Sequence, residues 1–403
     1  MKEISKLLQD PRIETLKHHF SDIIDCFYLV GGAVRDTILN REVQDIDFAT
    51  SYTPDELIEI CKKKGIKHIP TGIKYGTITI IIKGVSYEIT SLRKDIKTDG
   101  RHAEVLYTKD LSSDSERRDF TINALYLGFN GNLYDFHNGV EDIGKRIIKF
   151  IGDSKKRIDE DYLRILRFFR FYSELDNFSL DKGSVSSAIA AKESLSKLSS
   201  ERIRQELVRI LTGKNYFNAI KLLVKHKICD SFINLSEQLV NKIENYQINN
   251  SSAPPYEILM AFSILENSCP KENLLKLQNT LKLSNKEIRT LNIIISHANN
   301  LPKLLLTTME IKKLLFLNGR ENLLALYYYQ IFISAASTSS YNSVISQINQ
   351  LTTPTFPVTG NDLIERGYQK GKRLGEMLNK MQQTWLDSNF SISKEGLLIE
   401  YNV

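Results

Sequence analysis

The chain has 403 residues, 42% of them hydrophobic and 25% charged, which excludes a disordered or low-complexity protein and suits two or three globular domains. The formal net charge is +6, and residues 1–150 carry 22 Lys and Arg against 23 Asp and Glu, while the remainder carries 32 against 25. The basic C-terminal part would suit an anionic partner such as RNA, although surface lysines that serve only solubility would give the same balance.

The sequence pattern predicts neither a membrane-spanning segment nor a targeting signal. No apolar run approaches the roughly 18 residues of a membrane-spanning helix, so we predict a soluble protein with no membrane partner. The residues after Met1 form a charged, helix-like segment rather than a signal or transit peptide, and we expect a cytoplasmic location. Four scattered cysteines without a CxxC pair support neither a disulfide framework nor a zinc site.

Short strand patterns and helical patterns alternate up to about residue 148. β-Branched enrichment and turn residues set the strands apart from the amphipathic helices. In chain order we predict a strand over 27–30, a helix over 33–39, a strand over 45–49, a helix over 54–63, and a β-hairpin over 77–82 and 85–92. These elements indicate an α/β or α+β head built on a small sheet.

From about Asp159 onward helical periodicity dominates, with Leu163, Leu166 and Phe169 recurring at three-residue steps. Glycine, serine and proline interrupt the helical pattern in three places, which are candidate boundaries between helical parts. These interruptions are at 182–184, 251–255 and 352–354. The architecture we predict is therefore a head that contains a sheet, followed by a long, basic, helical body.

Two glycines followed by two acids carry the first chemical signal. Asp45 and Asp47 are two apart in a predicted strand and should face the same side, where two carboxylates repel unless a cation binds; hard oxygen ligands suit Mg²⁺. Gly31 and Gly32, at a strand-to-helix turn, let backbone amides approach a phosphate, and Arg35 adds a possible bidentate donor. A plain turn and a solvated acidic strand would explain either element taken alone.

A third acid, Glu88, lies on a later predicted strand between apolar neighbours, where it needs solvent, a metal or a partner. This order of glycine turn, paired acids and third acid resembles the nucleotidyltransferase superfamily that includes DNA polymerase β. More closely, it resembles the head of class II CCA-adding tRNA nucleotidyltransferases and bacterial poly(A) polymerases. The resemblance implies an α+β fold with a polymerase-β-like head and a small mixed sheet. It also implies catalytic roles for Asp45, Asp47 and Glu88, with Mg²⁺ on the first two, and nucleotide binding by Gly31, Gly32 and Arg35.

Two adjacent arginines, Arg117 and Arg118, open a predicted amphipathic segment. Cations at a helix start oppose the helix dipole, so a bound anion is a reasonable explanation; a salt bridge to Glu116 or Asp119 is the alternative. The segment resembles the family motif RRDFTxNA. That resemblance implies that Arg118 contacts the nucleotide triphosphate, and it extends nucleotide binding to Arg117, Asp119 and Asn123.

The most informative stretch begins with three acids at a predicted helix start, where Glu160 and Arg164 are spaced to pair. It resembles the family's EDxxR motif, in which an Asp and an Arg read the incoming base. Asp161 would accept from an exocyclic amine and Arg164 would donate to a ring nitrogen, so that C and A fit while G and U do not. By the same resemblance Glu160 orients Arg164, and Arg167 and Arg170 line the nucleotide pocket.

The resemblance is strong over residues 27–210 and weak over 216–350. It implies a catalytic head over 1–148, a neck with the base-reading helix over 149–215, a body over 216–350 and an RNA-binding tail over 351–403. In the tail, Lys372 and Arg373 follow a glycine that opens a short helix and could hold RNA phosphates, with helix capping as the alternative.

Together these features imply the addition of C, C and A to the 3′ end of tRNA from CTP and ATP, without a template and with release of pyrophosphate. A poly(A) polymerase shares the head but commonly carries a long basic extension beyond the tail. Enzymes that add only CC or only A stay open, because the polar stretch around Arg101 resembles the family's flexible loop only in part. A catalytically inactive RNA-binding protein is disfavoured because all three acids are present.

Overall fold

The structure is a computed structural model that describes residues 2–99, 102–266, 269–297 and 306–402. The chain forms two compact units, Met1–Phe232 and Ile233–Val403. The boundary between them coincides with none of the three interruptions predicted from the sequence. The stretch around Arg101, which resembles a flexible loop, includes residues that lie outside the described part of the chain.

A seven-stranded mixed sheet forms the centre of the head, in the order β3-β4-β5-β2-β1-β8-β9. Strand β2 runs parallel to β5, and the other neighbours are antiparallel. Strands β6 and β7 form a separate antiparallel ribbon, and β10 and β11 a short parallel pair. The strands are β1 (Phe27–Val30), β2 (Asp47–Thr50), β3 (Lys67–Gly72), β4 (Thr77–Ile82), β5 (Val85–Ser91), β6 (Arg93–Asp99), β7 (His102–Tyr107), β8 (Leu125–Gly128), β9 (Leu133–Asp135), β10 (Ile147–Ile148) and β11 (Ser179–Leu180).

Helices of the first unit cover the sheet and continue beyond it. They are α1 (Lys2–Leu8), α2 (Pro11–His19), α3 (Gly32–Ile38), α4 (Pro54–Lys63), α5 (Leu111–Ser115), α6 (Gly139–Lys145), α7 (Ser154–Glu160), α8 (Leu163–Glu174), α9 (Lys182–Ala191), α10 (Ser200–Thr212) and α11 (Tyr216–His226). Helix α8 packs against both α10 and α11. Its Phe168 stacks with Phe120 and Phe150, and these buried rings join the base of α8 to the head.

The regular elements of the second unit, within its described residues, are all helices. Its helices are α12 (Glu237–Asn249), α13 (Tyr256–Leu265), α14 (Pro270–Leu281), α15 (Asn285–His297), α16 (Thr308–Asn318), α17 (Arg320–Ser334), α18 (Asn342–Gln350), α19 (Gly360–Ile364), α20 (Lys372–Asp387) and α21 (Lys394–Glu400). Trp385 and Met381 of α20 lie in a core with Leu363 and Leu397. Within the described ranges, no helix combines the length and the apolar character needed to cross a lipid bilayer.

Local signals correctly placed several elements of the head. Helix α4 has the predicted bounds because Thr53 and Glu56 form a capping box and a proline occupies its first turn. Lys83 and Gly84 both have positive φ, 50° and 81°, which closes the predicted hairpin between β4 and β5 with a tight turn. The α+β fold with a small mixed sheet, followed by helices, is confirmed.

Other predicted element boundaries were wrong, and each error concerns a charged segment. Strand β2 begins at Asp47, so Asp45 lies in the preceding irregular segment and not on the strand. Arg117 and Arg118 follow α5 instead of starting a helix, so they lie where the helix dipole favours cations. The tail helix α20, which begins at Lys372, has 16 residues and is not short.

The acidic stretch expected to open one helix is instead a break between α7 and α8. Asp161 has an extended backbone, with φ −157°, and its carboxylate accepts a hydrogen bond of 3.1 Å from the backbone N–H of Leu163. A short polar side chain that bonds to the backbone competes with helix continuation, which explains why the helix ends here. The break directs Asp161 away from the regular helical surface.

Candidate active site

Gly31 forms the turn between β1 and α3. Its φ is +67°, a left-handed value that favours glycine, and its N–H donates to the carbonyl of Leu125 at 3.1 Å. A Cβ atom built on Gly31 would lie 3.7 Å from Nη1 of Arg118 and from the carbonyl oxygen of Asn123. The turn therefore runs directly beside the arginine that the sequence motif singled out.

The two predicted catalytic acids lie next to this turn. Asp47 opens β2 and pairs in register with Val30, the last residue of β1, while Asp45 lies two residues upstream. Partial desolvation raises the pKa of Asp47, which is still exposed to solvent, and the negative charges of Glu88 and Asp45 raise it further, against the opposing effect of Arg118. Glu88 and Asp45 thus both act on Asp47, although Asp45 is not on the strand.

The donor set at these acids fits a hard divalent cation. A cation would offset the desolvation and the repulsion that together raise the pKa of Asp47, and carboxylate oxygens are ligands that Mg²⁺ accepts. Among the described residues no group of three or more His, Cys, Asp or Glu side chains is arranged to hold a metal by itself. Two carboxylates with an open side suit an ion that keeps water and substrate phosphates as ligands.

The arginine motif is organised by Asp114, a buried carboxylate of α5. Nε of Arg117 donates to it at 2.8 Å, Nη2 of Arg118 lies 3.3 Å from it, and the hydroxyl of Tyr126 donates to it at 2.5 Å. Burial would raise the pKa of Asp114, but the two guanidinium groups and Tyr126 hold it below its ordinary value. The predicted alternative partners, Glu116 and Asp119, were therefore wrong for this pair of arginines.

Arg164 is held in place by three hydrogen bonds. Nη1 donates to Glu160 at 2.6 Å and to the carbonyl of Arg157 at 2.9 Å, and Nη2 donates to the carbonyl of Arg117 at 2.8 Å. The predicted contact between Glu160 and Arg164 is confirmed, and it spans the break between the two helices. The third bond links the base-reading segment to the arginine motif.

Asp161 is held by a residue from a distant helix. Nη2 of Arg202, on α10, donates to Oδ2 of Asp161 at 2.6 Å, while the backbone N–H of Leu163 donates to Oδ1. Both side chains of the ion pair are partly exposed, 23% for Arg202 and 20% for Asp161. The carboxylate therefore has a fixed direction and still reaches the cavity.

Arg167 joins helix α8 to the arginine motif through Asp119. Its Nε donates to Oδ2 of Asp119 at 2.7 Å, and the backbone N–H of Phe120 donates to Oδ1 at 2.9 Å. Burial would raise the pKa of Asp119, but Arg167 keeps it below the ordinary value. Asn123 in turn accepts a 2.6 Å hydrogen bond from Arg35, so Asp119 and Asn123 both have protein partners.

Arg170 forms a buried ion pair with Glu206 of α10, with 3.1 Å between Nη1 and Oε2. Burial, followed by repulsion from Arg167, lowers the pKa of Arg170 to about 10, and burial raises the pKa of Glu206. The guanidinium carbon of Arg170 lies 4.3 Å from the ring centre of Phe171, and those of Arg35 and Arg167 lie at 5.3 and 5.5 Å. Three cations thus surround one aromatic ring at the cavity wall.

A single cavity of about 740 Å³ collects most of the predicted site residues. Glu88 lines a neighbouring cavity and Glu160 another, while Lys372 and Arg373 belong to the second unit. Lys372 is the first residue of α20, and its side chain is 92% exposed. The predicted residues that line the main cavity are Gly31, Gly32, Arg35, Asp45, Asp47, Arg117, Arg118, Asp119, Asn123, Asp161, Arg164, Arg167 and Arg170.

Sequence reasoning missed the residues that support this cavity. Asp114 lies three and four positions before the paired arginines, a spacing that would have identified it as their partner. Tyr126, Arg202 and Glu206 offered no such local signal, because they lie on other elements than the residues they hold. Arg202 and Glu206 occur in a charged segment whose pattern is typical of an ordinary helix with surface ion pairs.

A mixed-sheet head with a glycine turn, neighbouring acids and a cluster of arginines in one cavity defines the class of this protein as a nucleotidyltransferase. The family model described as "Poly A polymerase head domain" matches residues 27–149. A second model, described as "Probable RNA and SrmB- binding site of polymerase A", matches residues 177–237.

Comparison with whole proteins narrows the class. The chain is 33% identical to human mitochondrial CCA tRNA nucleotidyltransferase 1, over 92% of this chain and 85% of that protein. It is 31% identical to the CCA-adding enzyme of Lactobacillus helveticus, over 92% of this chain and 91% of that protein. Its fold resembles the crystal structure of the Bacillus stearothermophilus CCA-adding enzyme in complex with CTP, with a TM-score of 0.78, 26% identity and 98% of each chain covered. The chain belongs to the family of CCA-adding tRNA nucleotidyltransferases, and the resemblance deduced from its motifs is confirmed.

Proposed function

We propose that this protein adds C, C and A to the 3′ end of tRNA, using CTP and ATP and releasing pyrophosphate. The observation that carries the proposal is the shared cavity, which brings the glycine turn, Asp45 and Asp47, the paired arginines, and Asp161 with Arg164 together. The relatives named as CCA-adding enzymes support it.

The triphosphate would lie between the glycine turn and the paired arginines. Gly31 leaves its backbone uncovered by a side chain, and Arg118 beside it supplies a fixed positive charge. Because Asp114 and Tyr126 already hold Arg118 in place, little side-chain entropy remains to be lost when the phosphates bind. Arg117 and Arg35 add positive charge at the same wall.

Asp45 and Asp47 would hold Mg²⁺, with Glu88 as the third acid beside them. Mg²⁺ held there would favour loss of the proton from the attacking 3′-hydroxyl and would neutralise charge on the α-phosphate and the leaving pyrophosphate. The acids supply the negative charge that retains the cation next to the triphosphate. No separate side-chain base is needed in this proposal.

Asp161 and Arg164 would read the base through complementary hydrogen bonds. Asp161 accepts from the exocyclic amine of cytosine or adenine, and Arg164 donates to the neighbouring ring nitrogen. Uracil and guanine present the opposite pattern, which leaves buried groups unpaired at a cost of about 1–3 kcal/mol each. Glu160 and Arg202 keep the two readers in their orientation through the ion pairs described above.

The remaining assignments are part of the same proposal. We keep the division into a catalytic head, a neck, a body and an RNA-binding tail at residues 148, 215 and 350. Lys372 and Arg373, at the start of α20, are proposed contacts for tRNA phosphates. We also propose a cytoplasmic location, which fractionation of the expressed protein would test, since the human relative is named as mitochondrial.

Defined tRNA substrates would test the function. We expect CTP alone to extend tRNA that lacks its CCA end by two residues, ATP alone to extend tRNA ending in CC by one, and both nucleotides together to give CCA. Long adenosine tracts would indicate a poly(A) polymerase instead, and a stop after CC a partial enzyme. Absence of any incorporation would refute the proposal.

Variants of the acids test the chemistry. Asp45→Ala and Asp47→Ala should abolish incorporation and leave tRNA affinity largely intact. Asp55→Ala is the matched control, because it removes an exposed acid from the first turn of α4, outside the cavities described here. Retained activity in either cavity variant would contradict the assignment.

A further inference from the structure

A second cavity, of about 510 Å³, adjoins the nucleotide cavity at the catalytic acids. Gln44, Asp45 and Asp47 line both cavities. From these residues the first cavity extends towards the glycine turn and the paired arginines, whereas the second extends towards β5 and α2. The second cavity is lined by Arg12, Gln44, Asp45, Ile46, Asp47, Phe48, Val85, Ser86, Tyr87 and Glu88.

Among the described residues that line this second cavity, Arg12 of helix α2 is the one with a positive charge. Its Nε and Nη2 donate to the carboxylate of Asp10 at 3.0 and 2.8 Å, and its Nη1 donates to the carbonyl of Gln44 at 2.9 Å. These bonds use three of the five N–H groups that a guanidinium carries. The side chain is 38% exposed, so the group is held in place and is open to a ligand.

The direction of the proposed reaction gives this cavity a role. A nucleotidyl transfer proceeds roughly in line, so the attacking hydroxyl approaches the α-phosphate from the side opposite to the leaving pyrophosphate. With the triphosphate beside Arg118, the acceptor strand has to reach Asp45 and Asp47 from the other direction. The second cavity provides described space that reaches the same two acids from α2 and β5.

Charge in this cavity favours a specific function for Arg12. Asp45, Asp47 and Glu88 present negative charge to an RNA strand that is itself anionic, so the approach of the strand needs a compensating cation. Arg12, whose charge Asp10 offsets in part, supplies positive charge from a helix that precedes residue 27, where the matching head-domain model begins. Its two uncommitted N–H groups, one on Nη1 and one on Nη2, can donate to a phosphodiester.

We propose that the second cavity receives the 3′-terminal nucleotide of the acceptor RNA and that Arg12 binds the phosphodiester next to it. This inference rests on the proposed function and adds to it a contact for the RNA strand from the N-terminal helix. The competing role for Arg12 is a brace, in which its bond to Gln44 only positions the segment that carries Asp45.

Binding measurements separate the two roles. Arg12→Gln should weaken binding of tRNA that lacks its CCA end by about five- to tenfold and reduce the salt dependence of log Kd by about 0.7, the loss of one contact to single-stranded phosphate. CTP affinity should stay unchanged. Lys17→Gln, which removes an exposed charge from the same helix outside the cavity, is the matched control and should leave both RNA quantities unchanged. Arg12→Lys should restore most of the salt dependence, because it keeps the charge.

A neutral linkage in the RNA identifies the contact itself. Replacing the phosphodiester next to the 3′-terminal nucleotide with a methylphosphonate should weaken binding to the unaltered protein by a similar factor, and it should have little effect on Arg12→Gln. Equal effects of the methylphosphonate on both proteins would overturn the inference and leave Arg12 as a brace. If the unaltered protein extends tRNA normally in that case, only the inference fails; if it neither binds nor extends tRNA, the proposed function fails as well.

Discussion

Replacing Arg202 should reduce the selectivity for the incoming base, although it changes neither of the side chains that are proposed to contact the base. Arg202 donates a 2.6 Å hydrogen bond to Asp161, and the other described hydrogen bond to that carboxylate comes from a backbone N–H. In Arg202→Gln the carboxylate can rotate away from the amine that it is proposed to read. Arg202 is thus a positioning residue in this hypothesis.

The expected size of the effect follows from the geometry. A hydrogen bond to a charged group contributes about 1.5–3 kcal/mol when it is well buried. Because both side chains are about one fifth exposed, we reduce this to about 1–2 kcal/mol. Such a loss corresponds to a factor of about 5–30, and it should lower kcat/KM for CTP and ATP relative to that for UTP and GTP.

The assay is single-nucleotide incorporation, with CTP and UTP compared on tRNA lacking its CCA end and ATP and GTP compared on tRNA ending in CC. Glu201→Gln is the control, because it removes an exposed charge from the first turn of the same helix and because Glu201 lines none of the cavities described above. An unchanged ratio of CTP to UTP incorporation in folded Arg202→Gln would refute the reasoning. So would an equal change in the control.

Three further predictions concern the framework of the site. Asp114→Ala should lower the free energy of unfolding by about 3–5 kcal/mol, because it leaves two arginines without their buried partner. The pKa of Asp114 lies below its ordinary 3.8, so its contribution is present above that pH and is lost as pH falls through the folded value. Chemical unfolding at several pH values should therefore show that the free energy of unfolding falls less in acid for Asp114→Ala than for the unaltered protein. Arg170→Met should cost about 3 kcal/mol, because it leaves buried Glu206 with only the more distant Arg167, 4.0 Å away, and adding Glu206→Leu should recover most of that loss in the same assay. Gly31→Ala should cost about 1–3 kcal/mol through backbone strain rather than a clash, since its φ is +67° and the nearest atoms are 3.7 Å from the added Cβ. CTP binding should weaken in parallel, and equal stability would contradict this explanation.

Sequence reasoning succeeded where nearby residues decide the structure. The capping box of Thr53 and Glu56 fixes the start of α4, and the turn at Lys83 and Gly84 fixes the hairpin, because the interactions involved lie within a few residues. The cavity members were predictable for a different reason, since their motifs resemble those of a known family. The resemblance named the residues but did not reveal what holds them.

Contacts between distant segments were out of reach of such patterns. Arg202 lies 41 positions from Asp161, and Arg167 lies 48 positions from Asp119, so no helical or strand periodicity relates them. The boundaries of charged segments failed for a related reason. The side chain of Asp161 bonds to the backbone and ends a helix that its neighbours would otherwise continue. Helix propensity alone does not predict where these helices end, because it does not include the specific contacts that acids such as Asp161 form.

The pairing of the three central strands has a consequence for the dimensions of the site. Val30, the last residue of β1, has Asp47 as its partner on one side and Tyr126 on the other. Neighbouring strands lie about 4.8 Å apart, so the backbone separates the acidic edge from the anchor of Arg118 by about 10 Å. This separation is set by the backbone and does not depend on side-chain rotamers. Insertions in the segment after α3 would leave this separation unchanged. A slip of one residue in the pairing of β1 and β2 would instead give Val30 a partner other than Asp47.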